Sequence, residues 1–149
     1  MATVTFKSDV NWKGEGVASI ADLNGKKIII DEPENLGGKD EGPNPVEYIL
    51  GALGGCINVL VTSFADQFNV VVEDVQVHIE GDLDPDGFLG KNPNVRKGYE
   101  EIRYSVELKS PSNKEDIDAL LEHVDKNCPV KDTLEGTRVI NTKGEEATV

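Results

Sequence analysis

Thiol chemistry comes first among the reactions this chain could perform. Its two cysteines are Cys56 and Cys128. Cys56 closes the segment Gly42-Pro-Asn44-Pro45-Val-Glu47-Tyr-Ile-Leu-Gly-Ala-Leu-Gly-Gly-Cys56, which joins a helix start signal to a nearly all-apolar helix. Cys128 opens the motif Cys128-Pro129-Val130, far downstream. A cysteine that reduces a peroxide needs a thiolate, a shielded pocket and a second thiol to resolve the sulfenic acid. The pair supplies those parts if the fold brings the two together. Spacing alone does not, and two unconnected buried cysteines fit the sequence as well.

Other chemistries have less support. Cys56, His78, His123 and Cys128 could form a Cys2His2 zinc site, but no pair among them has the short spacing of such sites. His78 alternates with Val77 and Ile79 and reads as a solvent-facing strand residue, and His123 falls on the polar side of a helix. Asp82-Leu-Asp84-Pro-Asp86-Gly87 matches the first half of a calcium-binding loop. The match then fails, because Pro93 stands where a bidentate Glu is needed, Pro85 stiffens the loop, and a strand precedes it. A connection rich in Asp and Gly is the plainer reading. A Cys-His hydrolase would use Cys56 as nucleophile and His78 or His123 as base. No oxyanion motif accompanies it, and neither a serine nucleophile elbow nor a phosphate loop occurs.

The elements that must position the thiols follow from local signals. Residues 2–10, 15–22 and 26–31 read as three strands, the last two joined by the hairpin turn Asn24-Gly25. A polar loop with Gly37-Gly38 follows, where the glycines suggest unusual backbone angles or the close approach of another group. Asn44 as N-cap, Pro45 at the first position and Glu47 at the third make a capping box. From Val46 to Phe68 apolar residues occupy every side, so this helix is expected to be buried all round, with help from a second subunit. Gly51, Gly54 and Gly55 suggest close packing against another backbone. The alternative is a break that places Cys56 in the first turn of a new helix, where the macrodipole lowers its pKa. Val70–Glu80 and Glu101–Lys109 read as antiparallel partners. Ser112 and Glu115 make a second capping box before an amphipathic helix marked by Ile117, Leu120, Leu121 and Val124. Residues 137–142 read as a last strand. The expected order is βββ-α-ββ-α-β, an α+β fold with a buried central helix.

Composition narrows the partners. The 149 residues suit one domain, 1–149, and 38% hydrophobic residues with few aromatics leave the packing to aliphatic side chains. A net charge of −13 with scattered lysines and arginines argues against nucleic acid and anionic membrane surfaces. No run of eighteen apolar residues suggests a membrane span, and the first residues lack a signal-peptide pattern, so a cytoplasmic location is expected. Thiols there are normally reduced, which favours a catalytic or metal-binding pair over a structural one.

The chain resembles the OsmC/Ohr family (osmotically inducible protein C and organic hydroperoxide resistance protein). The resemblance rests on Pro33-Glu-Asn-Leu-Gly37-Gly38, on Gly42-Pro-Asn44-Pro45-Val-Glu47, on the Gly- and Ala-rich helix to Cys56, and on Cys128-Pro129. It covers nearly the whole chain, and the stretch from Gly87 to Ile102 is closer to the OsmC branch than to the Ohr branch. It implies an intertwined homodimer with two sites at the interface and thiol-dependent reduction of organic hydroperoxides. Cys56 would be the peroxidatic cysteine and Cys128 the resolving one, an external dithiol would reduce the disulfide, and Glu47 would join the polar network that orients the site. No cofactor or metal is implied. Ohr-type members use an arginine from the N-terminal region to stabilise the thiolate. The arginines here are Arg96, Arg103 and Arg138, and the nearest N-terminal basic residue is Lys13, so Lys13, Arg96 or another basic residue is left for that task. The alternative is a protein of the same fold that binds an apolar ligand or senses redox state without significant peroxidase activity.

Overall fold

Asn44 and Glu47 start the long helix by exchanging hydrogen bonds: Glu47 N–H donates to Asn44 Oδ1 at 2.8 Å and Asn44 N–H to Glu47 Oε1 at 2.9 Å. The helix they start, α1, runs unbroken over Pro45–Phe64. The structure is a computed structural model and describes residues 2–142. Its contacts divide the chain into two compact units, one ending at Gly51 and one beginning at Ala52.

The first unit is a meander of β1 (Asp9–Trp12), β2 (Ser19–Leu23) and β3 (Lys26–Ile30), antiparallel in that order. Register is set by Val10 opposite Ala21 and Ile20 opposite Ile29. The β2–β3 turn forms as expected at Asn24-Gly25, where both residues take positive φ and Gly25 N–H donates to Asp22 Oδ1 at 2.7 Å. After β3 the loop winds around one carboxylate. Asp31 is buried and accepts from Glu32 N–H (2.8 Å), Glu41 N–H (3.1 Å) and Lys39 N–H (3.2 Å). These donors hold its carboxyl below the usual aspartate value, Glu32 N–H most strongly. Gly37 has φ 91°, and a side chain on Gly38 would run into the Glu32 carbonyl.

The second unit pairs β4 (Asp74–Asp82) with β5 (Glu101–Lys109), antiparallel, with Val77 opposite Val106 and Ile79 opposite Tyr104. Exposure alternates along both strands, and the inward residues Val75, Val77, Ile79, Ile102, Tyr104, Val106 and Leu108 pack on one cluster. That cluster is built by Leu53, Ile57, Val61 and Ala65 with Val70, Leu120, Val124 and Cys128. The remaining helices are α2 (Pro85–Phe88), α3 (Lys114–Asn127) and α4 (Pro129–Gly136).

The mixed α+β class matches the expectation, and several details differ. Residues 2–8 and 137–142 form no strand. Alternation favours an extended chain, but a strand needs a ladder partner; Phe6 is 91% and Val139 92% exposed. Within the single chain α1 buries one side, where Leu53, Ile57 and Val61 face the core, while Val59 is 57% exposed, on a side the sequence reading assigns to a second subunit. It is long and apolar enough, with a mean hydropathy of 1.5, to pass for a spanning helix, as core helices also do. No break precedes Cys56. Gly54 instead makes room for a side chain, because a Cβ there would meet Ile79 Cδ1 at 2.5 Å. The cap of α3 is Asn113, whose Oδ1 accepts from Asp116 N–H at 2.9 Å. Ser112 is engaged elsewhere, accepting from Val71 N–H at 2.9 Å.

Candidate functional site

Both thiols belong to the second unit, and there they meet. Cys56 lies in mid-helix on α1, and Cys128 is the single extended residue between α3 and α4. Their Sγ atoms are 3.3 Å apart, and both thiols are free. Cys128 is 3% exposed, while Cys56 is partly open. A disulfide bond measures about 2.05 Å, so closure asks for a movement of roughly an ångström.

The sequence produces this meeting through Pro129. Proline at the first position of α4 suits the helix start, and Cys128 before it takes the extended backbone that a following proline favours. Cys128 therefore ends α3 and caps α4, and its Sγ accepts from Lys131 N–H at 3.4 Å. The preceding residue of that turn, Val130, gives its N–H to Cys56. One helix start thus offers backbone donors to both sulfurs.

Electrostatics at Cys56 differ from a thiol at a helix N-terminus. Burial pushes the Cys56 thiol up from its ordinary value; the Val130 N–H works the other way, and the neighbouring Cys128 adds to the rise. The expected macrodipole effect on Cys56 does not operate, because α1 passes through residue 56 without interruption.

A basic residue other than Lys13 and Arg96 belongs to this helix start. Lys131 sits on the first turn of α4, its Nζ 2.9 Å from Asp125 Oδ1 and 3.8 Å from Glu135 Oε1. Asp125, chiefly, with Glu135 and Cys128 holds the Lys131 ammonium above the ordinary lysine value. Asp125 also accepts from the Tyr104 hydroxyl of β5. Burial first, and then Asp125, pushes the Tyr104 phenol well up. Lys13, in the first unit, is paired with Glu41 at 2.8 Å. Arg103 is bound to Asp82, Glu101 and Glu80. The backbone carbonyl of Arg96 lies against Gly87. Sequence reasoning missed Lys131, although its place three residues after Cys128 in a helix start was the available signal.

The other candidates have partners of their own. Glu47 holds the capping box in the first unit. His78 is exposed on β4, 3.5 Å from Glu80. His123 departs from the expected polar face: its ring packs edge-on to Phe64 at 4.6 Å and near Phe68 at 5.1 Å. Asp82 binds Arg103, and Asp84 caps α2 through Asp86 N–H at 3.0 Å, so this acidic stretch is put to structural use. Among the described residues no group of His, Cys, Asp and Glu is arranged to hold a metal ion.

The chain has relatives in sequence and in three-dimensional structure. The uncharacterized protein YmaD of Bacillus subtilis is 27% identical over 146 residues, covering 91% of this chain and 90% of that protein. A hydroperoxide reductase of Mycoplasma genitalium is 27% identical over 100 residues, covering 66% of this chain and 67% of that protein. In three dimensions, the crystal structure of an OsmC-like protein from Mycoplasma pneumoniae superposes with a TM-score of 0.76 at 19% identity, over 91% of each chain. The family described as OsmC-like protein matches residues 38–143, a span that takes in α1 and both cysteines, and with the shared fold this makes the chain a member of the OsmC-like family.

Proposed function

We propose that the protein is a thiol-dependent peroxidase that reduces organic hydroperoxides with Cys56 and Cys128. The Cys56 thiolate attacks the distal oxygen of the hydroperoxide. An S–O bond forms, the O–O bond breaks, and the alkoxide leaves as an alcohol after taking a proton. The Cys56 sulfenic acid then condenses with the Cys128 thiol, forming the disulfide and releasing water. An external dithiol reduces the disulfide and is itself oxidised. No metal or organic cofactor enters this cycle. Glu47, besides capping α1, belongs to the polar network that orients the site, in a cytoplasmic homodimer with two sites at its interface. The exposed Val59 on α1 supports a partner surface.

The observation that carries this reading is the 3.3 Å approach of two free sulfurs from positions 72 residues apart. Membership of the OsmC-like family and the Mycoplasma genitalium relative add support. Mass spectrometry before and after one equivalent of cumene hydroperoxide tests it. The chain should lose two hydrogens and yield a linked Cys56–Cys128 peptide, and Cys56→Ser should lose all peroxide turnover. Unchanged thiols, or full turnover in C56S, would defeat the reading.

A second reading has one observation in its favour. Burial raises the Cys56 thiol, the opposite of what a fast peroxidatic cysteine needs. On this reading the fold binds an apolar ligand or senses redox state without significant turnover. Thiols that survive the equivalent of hydroperoxide would select it.

A further inference from the structure

We propose that Asp125 is the positioning residue of the thiol pair: by tying Lys131 of α4 to Tyr104 of β5, it holds the first turn of α4 against both sulfurs and favours closure of the Cys56–Cys128 disulfide. Three elements converge on this one carboxylate. Asp125 stands on the last turn of α3, accepts from the Tyr104 hydroxyl of β5, and takes Lys131 Nζ of α4 at 2.9 Å. Lys131 is fastened at both ends, because its N–H lies on Cys128 Sγ at 3.4 Å.

The joint between α3 and α4 is one residue long, with φ −75° and ψ 111° at Cys128. Such a joint sets the direction of α4 only if something beyond it is held. The Asp125 ties supply that hold on the residue that also hydrogen-bonds the sulfur. Closing a disulfide is an intramolecular reaction, and its equilibrium follows the effective concentration of one thiol at the other. A fixed α4 start raises that concentration by keeping Cys128 Sγ facing Cys56 Sγ. An ordinary exposed ion pair would contribute little to stability and nothing specific to the thiols.

In the peroxidase reading this closure is the resolving step, and the inference rests on that reading for its place in turnover. The closure itself is tested without peroxide. The full-length chain is equilibrated in mixtures of glutathione and glutathione disulfide, and the oxidised fraction is read by mass. Two protein thiols surrender two protons and two electrons, the S–S bond forms, and one glutathione disulfide is cleaved to two glutathione molecules. Asp125→Asn and Lys131→Met should each lower the equilibrium constant for disulfide formation about tenfold, a rise of about 30 mV in midpoint potential. Tyr104→Phe, which removes a single hydroxyl, should lower it about threefold. Asp125→Glu should recover most of the loss, and circular dichroism should stay native throughout. A constant within twofold of the parent in D125N overturns the proposal. Should D125N fail to fold, parental constants in both Y104F and K131M overturn it. A parent chain that keeps its thiols in cumene hydroperoxide defeats the peroxidase reading alone, and the glutathione series still decides this one.

Discussion

The β1–β3 meander and the β4–β5 hairpin are both antiparallel, yet they bury different things. In the first unit the buried side chains are Ala18, Ala21 and Asp31, two of them small and one charged. Order there comes from a loop whose backbone N–H groups close around a carboxylate. In the second unit one face of the hairpin lies on Ile57, Val61, Leu120 and Val124, with Cys128 inside that cluster and Cys56 packed against it. Apolar burial is non-directional and fixes which faces meet. Hydrogen bonds to one acceptor are directional and fix the path of a loop. The thiols are placed by both kinds of interaction, since α1 and Cys128 belong to the apolar cluster while the start of α4 presents its N–H groups.

This contrast can be broken by experiment. Leu120→Ala removes a fully buried side chain at the centre of the second unit, and should cost about 2–5 kcal/mol in urea denaturation. A cost under about 1 kcal/mol would mean that apolar burial does not govern this unit. Asp31→Asn should have a smaller effect, felt in the loop. The amide NH2 would face backbone donors, so exchange of the Glu32, Lys39 and Glu41 amides should quicken selectively, as hydrogen exchange can read. The acid dependence sharpens the point. The folded carboxyl lies below its unfolded value, so its stabilisation is present above about pH 3.9 and is lost as pH falls through the folded pKa. D31N should flatten that acid limb.

Asn44→Ala tests the junction where α1 starts and should cost about 1 kcal/mol by thermal or urea melting. The smallest expected effect is alkaline. The Cys56 thiol is raised in the folded protein, so its contribution is full below the unfolded thiol value, about 8.5, and is lost as pH rises through the folded pKa. Cys56→Ser should flatten the stability curve on that side, and an unchanged alkaline limb would show that residue 56 is not shielded from water.

What could be read from the sequence was local. The Asn44–Glu47 box, the Asn24-Gly25 turn and the strand signals in Val70–Glu80 and Glu101–Lys109 each involve residues a few positions apart, and each is present, although the first strand runs over Asp74–Asp82. What was misread depended on a partner that local pattern does not contain. Residues 2–8 and 137–142 read as strands but pair with no ladder among the described residues. Ser112 looked like a cap, yet its hydroxyl is claimed by Val71, 41 residues away. The site divides in the same way. Cys56 and Cys128 stood out by residue type, whereas their contact depends on α1 and the α3–α4 joint meeting in one core. The Tyr104–Asp125–Lys131 cluster draws on three elements and has no signature along the chain.

The 72-residue separation of the two sulfurs also has a thermodynamic side. A covalent bond between them would close a loop of nearly half the chain and remove many conformations from the unfolded ensemble. Chain-entropy arguments put that stabilisation at about 4 kcal/mol for a loop of this length. The oxidised protein should therefore melt several degrees above the reduced one, and its thermal midpoint would report how much of the population has been oxidised.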